Sequence, residues 1–259
     1  MDPLTLVGIG MAFVFLFLGI IMEGTNPASL IGIPAFLIVV FPTVMVSLAG
    51  LTKADLSSVV ASTKKALLGK AESASESIGI VVEFAERARK EGLLALEESA
   101  KSIEDPFLKK GINLAVDGTD PEELREILEA EIASKKTTDK VGAKFYTDMG
   151  GFCPTLGIVG AVTGLIKVLG SLENPAEAGH GIAVAFIATF YGVLLANAVF
   201  LPMANKIKRA SEVESHHMEL VMEGIMSIQA GANPRVIEQK LLSFLPEKER
   251  AALADEQAA

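Results

Sequence analysis

The chain has 259 residues, of which 50% are hydrophobic, and a net charge of −9. That balance, with no basic run of any length, speaks against nucleic acid as a partner. Its single cysteine, Cys153, excludes an intrachain disulfide and any cysteine metal cluster, and is expected to be a small buried residue in an apolar run.

The apolar residues are concentrated at 4–50 and 149–204, a distribution that points to a multi-span membrane protein. The start, MDPLTLVG, lacks the basic region and small-residue cleavage site of a signal peptide, so the first run is expected to be retained. Residues 4–22 form an uncharged first span, EGTNPA (23–28) a hairpin, and about 29–50 an uncharged second span. Pro34 and Pro42 would break a soluble helix, but membrane helices tolerate proline where neighbours satisfy the freed carbonyls.

From 51 to 146 charged and apolar residues alternate at helical spacing, and no strand pattern is visible. Ile78, Val81, Val82, Ala85, Ala88, Ala95 and Leu96 form one stripe over 78–96. Asp105-Pro106 opens a helix, with proline at the first helical position. Thr119-Asp120-Pro121 opens another with acids in its first turn, and Gly118 fits the turn between them. The section reads as a helical cytoplasmic insertion built on extensions of spans two and three.

Residues 147–204 contain two more apolar runs, separated by SLENPAEAGHG. Each is long enough to cross a bilayer, which takes about 20 apolar residues. Small residues line both: Gly157, Gly160 and Gly164 in the first, and Ala185, Ala188, Gly192 and Ala196, with Thr189 among them, in the second. Such stripes let membrane helices approach closely or leave room for something between them. Here they are expected to line a path or grip another helix. Pro154 and Pro202 sit near the inner ends of the two spans.

After Pro202 the chain turns polar. A helical stripe through Leu220, Val221, Gly224, Ile225 and Ile228 is followed by a helix capped by Asn233-Pro234 and closed by Pro246, and the last ten residues or so read as a mobile tail. His216 and His217 point about 100° apart on a helix and are expected to be a solvated surface pair. Of 23 Lys and Arg, 15 lie in 51–146, 7 in 205–259, and only Lys167 in a span. By the positive-inside rule the insertion and both termini are cytoplasmic, in agreement with four spans. The fold class is therefore all-α: an integral membrane protein with four transmembrane helices, a helical insertion between spans two and three, and a helical C-terminal tail.

No nucleophile elbow, phosphate loop or metal-binding histidine spacing occurs, so no enzyme, metal site or cofactor is expected. The spans also carry no Asp or Glu near mid-membrane, the usual mark of an ion carrier. Lys167 is placed to snorkel to the outer headgroups of the membrane lipid. If the protein conducts ions, another chain must supply the carboxylate.

The segments CPTLGIVGAVTGLIKVLGSLENP, AVAFIATFYGVLLANAVFLPMANKIK and GIMSIQAGANPRVIEQKLLSFLP, with RARKEGLLALEE earlier, resemble flagellar stator proteins of the MotA/PomA type. The resemblance implies a homo-oligomeric ring, a pentamer, around a dimer of a single-span MotB/PomB-type partner whose aspartate carries the ion. It further implies that ion flow turns the ring against the switch protein of the flagellar rotor. Carried over by position, Pro154 and Pro202 match the family's two functional prolines, and Thr189 matches the threonine beside the ion path. Arg89 and Glu97 match the charged pair facing the rotor, a role that Arg87, Lys90 and Glu98 could share. On this resemblance the small faces of spans three and four should hold the partner's helix, so that Leu at Gly192 or Ala196 would block association but not insertion.

Sodium-driven members commonly have threonine where this chain has Ala161, after the second glycine of G-x-x-G. Pro154, Ala161 and Leu165 share one face by helical spacing, whereas Thr163 lies about 200° from Ala161. The resemblance therefore implies protons as the driving ion, with sodium as the alternative. The ExbB/TolQ type, an energiser of outer-membrane processes, resembles spans three and four but has three spans in a different loop order. A secondary transporter would carry internal repeats, and no convincing repeat relates the two hairpins.

Overall fold

The computed structural model describes residues 3–69, 74–247, 249–251 and 253. The expected C-terminal tail lies largely outside the described residues. Those described form helices joined by short turns, with no strand among them. They form two compact units, one from the described parts of Met1–Lys70 and Thr138–Ala210, the other from those of Ala71–Thr137 and Ser211–Ala259.

The first unit begins with helix α1, Pro3–Met22, which turns at Gly24, whose φ of 82° suits a residue without Cβ. Asn26 then caps a 3₁₀ turn over Pro27–Leu30, and α2 follows at Ile33–Ala49. The second apolar run is therefore shorter as a helix than its sequence, 17 residues or about 26 Å, because the 3₁₀ turn takes its start. Pro34 falls in the first turn of α2, where its missing N–H costs nothing, and only Pro42 is internal.

Helix α3, Lys53–Leu68, is a separate helix and not an extension of α2. Thr52 caps it, with its N–H (2.9 Å) and hydroxyl (2.8 Å) donated to Asp55, and these bonds hold the Asp55 carboxyl below its ordinary value.

The unit continues with the later part of α7 (Pro121–Leu169), α8 (Pro175–Leu195), a π-helical turn over Ala196–Phe200, and the beginning of α9 (Leu201–Gln229). By length and composition α1 and stretches within Pro121–Leu169 and Pro175–Gln229 can cross a membrane, and α2 is a shorter apolar helix. Tyr191 ties α8 to the start of α2: its hydroxyl donates to the Leu30 carbonyl at 2.6 Å and accepts from the Gly32 N–H at 3.2 Å. Phe36 meets the Tyr191 ring edge-on, at 6.0 Å between centroids.

The second unit holds α4 (Ala74–Glu91), a 3₁₀ turn (Leu93–Ala95), α5 (Leu96–Ala100), α6 (Pro106–Val116), the start of α7, the rest of α9, and α10 (Pro234–Leu242). Its core is one cluster, including Val81, Leu96, Leu108, Ile112, Leu124, Leu128, Leu220, Ile225 and Leu241. The expected starts are present: Asp105 accepts from the Phe107 N–H at 2.8 Å, Gly118 has φ 80°, and Asn233 accepts from the Arg235 N–H at 3.1 Å.

Two expectations fail in this unit. The stripe over 78–96 is two helices, because Gly92, at φ 87°, ends α4. His216 and His217 are not both solvated. His216 is exposed, with Nε2 2.9 Å from the Phe244 carbonyl oxygen, but His217 is buried, with Nε2 3.3 Å from Ser77 Oγ. The 100° step between adjacent residues turns one ring outward and the other into the core.

Leu128 is fully buried at the centre of this cluster. Leu128→Ala should lower the unfolding free energy by about 2–5 kcal/mol, read as a reduced midpoint in detergent. An unchanged midpoint would place Leu128 outside the core.

Candidate functional site

Within the first unit the two small-residue stripes meet each other. A Cβ built on Gly157 would lie 3.0 Å from the Ala188 carbonyl oxygen and 3.3 Å from Cα of Thr189. One on Gly164 would lie 2.8 Å from the Gly181 oxygen, and one on Gly192 2.8 Å from the Cys153 oxygen and 3.2 Å from Cα of Pro154. One on Gly160 would meet Ala188 at 2.6 Å and Ile38 of α2 at 3.4 Å. The helix gripped by each stripe is thus the chain's own, and α2 closes over the same seam. Ala185, Ala188, Cys153 and Ala196 are buried in it or beside it.

This corrects the assignment of the small faces to the partner. A leucine at Gly192 would strike backbone, so its first effect is on the subunit's own fold. We expect Gly192→Leu to reduce the amount of folded protein extracted from membranes. Gly151→Ala should be tolerated, since nothing lies within 4 Å of a Cβ there. Full recovery of folded Gly192→Leu with selective loss of partner binding would restore the original assignment.

The residues singled out in the sequence flank this seam. Pro154 and Thr189 are half-buried at the same crossing, since Pro154 touches Gly192 and Thr189 touches Gly157. Ala161 is half-buried two turns along α7, and Leu165, on the same flank, is exposed. The Thr189 hydroxyl donates to the Ala185 carbonyl at 3.2 Å, which leaves its oxygen lone pairs as what it can offer a ligand. Thr163 is exposed, and its hydroxyl is held by the Val159 carbonyl at 2.8 Å.

Two helix defects lie next to this crossing. Pro154 has no N–H to give to the Gly150 carbonyl, and Gly150 itself packs on Leu201, with 2.5 Å from its built Cβ to Leu201 Cδ2. Pro202, the next residue, follows the π turn, in which the Leu201 N–H reaches back five residues to the Ala196 carbonyl. π turns are rare and recur at functional sites. Sequence reasoning missed this one, and its only signal was Pro202.

Arg89 and Glu97 lie in the second unit, on either side of the break between α4 and α5. Arg89 is in the last turn of α4 and Glu97 in the first turn of α5, and both are exposed. Among the described residues neither has a hydrogen-bond or ion-pair partner. Their neighbours do: Arg87 pairs with Glu91 at 3.2 Å and donates to Ser99, Lys90 pairs with Glu86 at 3.5 Å, and Glu98 with Lys101 at 3.1 Å. Among the described residues no group of His, Cys, Asp and Glu is arranged to hold a metal.

Apolar helices packed through glycine, together with a charged helical unit, define an all-α, multi-pass membrane protein. Residues 99–220 match the family model of the MotA/TolQ/ExbB proton channel family. Motility protein A of Bacillus subtilis is 37% identical over 257 residues, 99% of this chain and 95% of that protein. Chemotaxis protein PomA of Vibrio alginolyticus is 34% identical, over 99% of this chain and 100% of that protein. A structure of the flagellar MotAB stator complex from Bacillus subtilis superposes with a TM-score of 0.91 at 37% identity, covering 98% of this chain and 100% of that one. One of C. jejuni MotAB does so with 0.91 at 36% identity, over 95% and 97%. The chain belongs to the MotA/TolQ/ExbB family, in which its similarity to these motility proteins extends over nearly its whole length.

Proposed function

We propose that this chain is the ion-conducting stator subunit of a bacterial flagellar motor, seated in the inner membrane. It works as a homo-oligomeric ring, a pentamer, around a dimer of a MotB/PomB-type single-span partner. Helices α1 and α2, the apolar part of α7, and α8 with the π turn are its four spans. The distribution of Lys and Arg, 15 in 51–146 and 7 in 205–259, supports a cytoplasmic insertion and cytoplasmic ends.

The observation that carries the reading is the α7–α8 seam. It sets Pro154, Ala161 and Thr189 on its flank and offers no carboxylate of its own, so a partner helix laid along that flank supplies the ion-binding group. Each unit charge that crosses 100 mV releases roughly 2.3 kcal/mol. The π turn with Pro202, and the break at Pro154, are the places where α8–α9 and α7 bend as the partner's carboxylate loads and unloads. Arg89 and Glu97, unpaired within the described residues, carry the force to the rotor's switch protein.

Charge reversal at Arg89 or Glu97 should weaken torque several-fold while ion conduction stays within about twofold of the parent, and a compensating reversal on the rotor should restore part of it. The effect should be larger at low ionic strength, where exposed charges are less screened. Equal loss of conduction and torque would place these residues in the path or the fold.

The driving ion is the proton. Sodium needs several oxygens at close range, and of the side chains of Pro154, Ala161 and Thr189 only Thr189 supplies one. Swimming should persist in sodium-free medium with an intact proton gradient. Cells that stop there and recover on adding sodium at constant ionic strength would overturn this choice.

A further inference from the structure

The turn between α4 and α5 presents more than its two charges. Gly92 closes α4 through its N–H to the Ala88 carbonyl at 2.9 Å, and the Ala95 N–H returns to the Gly92 carbonyl at 3.2 Å. Leu93 packs against the core and Leu96 is fully buried, so the turn is pinned from inside at both ends. In a 3₁₀ turn residues three apart share a side, which puts Leu93 and Leu96 inward; of the two residues between them Ala95 is half-buried and the other stands outward. That residue is Leu94, 74% exposed.

Elsewhere among the described residues of this unit, only Val213 and Val236, at 44% and 57%, are large apolar side chains so exposed. Leu94 is the longest of the three and the most exposed. It also stands between Arg89 and Glu97 in the chain. The four-apart neighbours of Arg89 are Ala85 and Leu93, which cannot pair with it, and Lys101, four beyond Glu97, is taken by Glu98. A cation, an apolar side chain and an anion thus stand along one pinned turn, and neither charge has a partner among the described residues.

We propose that Leu94 is the apolar anchor of a docking surface, seated in a recess of a partner protein that sets a carboxylate opposite Arg89 and a basic group opposite Glu97. The partner is a protein surface of mixed charge, because a surface of one sign would be repelled at one end of the turn. The proposal rests on the reading that Arg89 and Glu97 face the rotor, and it makes that contact part apolar. The charges set orientation and the rate of encounter, and burial of Leu94 sets how long the contact lasts.

The test uses the full chain assembled with its single-span partner and measures binding to the rotor's switch protein at low and high salt. Leu94→Ala should weaken binding about ten- to a hundredfold and leave the salt dependence as in the parent. Arg89→Glu should weaken it mainly at low salt, and Val236→Ala should not weaken it. Leu94→Ala within twofold of the parent, with Arg89→Glu weakened, would overturn the anchor and leave the rotor contact standing. If neither variant loses binding, the reading on which the anchor rests fails as well. Equal losses from Leu94→Ala and Val236→Ala would show that the turn is not special.

Discussion

The close approach of α7 and α8 through Gly157, Gly164 and Gly192 is the constraint on which the first unit depends. In lipid the hydrophobic effect does not drive helices together, so association rests on van der Waals contact and a few hydrogen bonds. Backbone-to-backbone contact maximises the first, and it is possible only where no Cβ intervenes. The consequences reach outward. Gly160 lets α2 close over the seam, Tyr191 fastens the entry of α2 to α8, and the crossing fixes where Pro154 and Thr189 stand. The same contact sets the flank beside which Pro154 and the π turn before Pro202 interrupt regular α-helical bonding.

The second unit solves a different problem. Its helices pack around one buried apolar cluster that includes Leu128 and Ile225, and removing such surface from water is a strong driving force. Surface charges are mostly taken by neighbours at helical spacing or across the unit, as in Lys136–Glu219 at 2.7 Å. Such exposed pairs add little to stability. Arg89 and Glu97 are among the charges that have no partner within the described residues, and they flank a turn held by Leu93 and Leu96.

Much of this was legible in the chain. Asp105-Pro106, Thr119-Asp120-Pro121 and Asn233-Pro234 announce helix starts by chemistry that acts within one turn, and all three hold. The small stripes were equally legible as faces. Helical periodicity says which residues share a side but not what that side meets, and so the stripes were assigned to a partner when they pack on each other. His217 was hidden for the same reason, since a polar residue in a core is visible only once its contact, Ser77, is in place. Gly92 divides α4 from α5 because its φ is positive, and a glycine alone does not declare its φ. The π turn depends on how neighbouring helices accommodate Pro202, a tertiary effect with no local pattern.

The most direct test of the account asks which flank the partner's helix occupies. In a Cys153→Ala background, a cysteine at Thr189 should form a disulfide with a cysteine placed at the carboxylate position of the single-span partner. A cysteine at Ile187, which faces Gly32 of the loop leading into α2, should not. Cross-links formed instead from the exposed face of α1, at Leu18 for example, with none from Thr189, would contradict the claim that the α7–α8 seam builds the wall of the path.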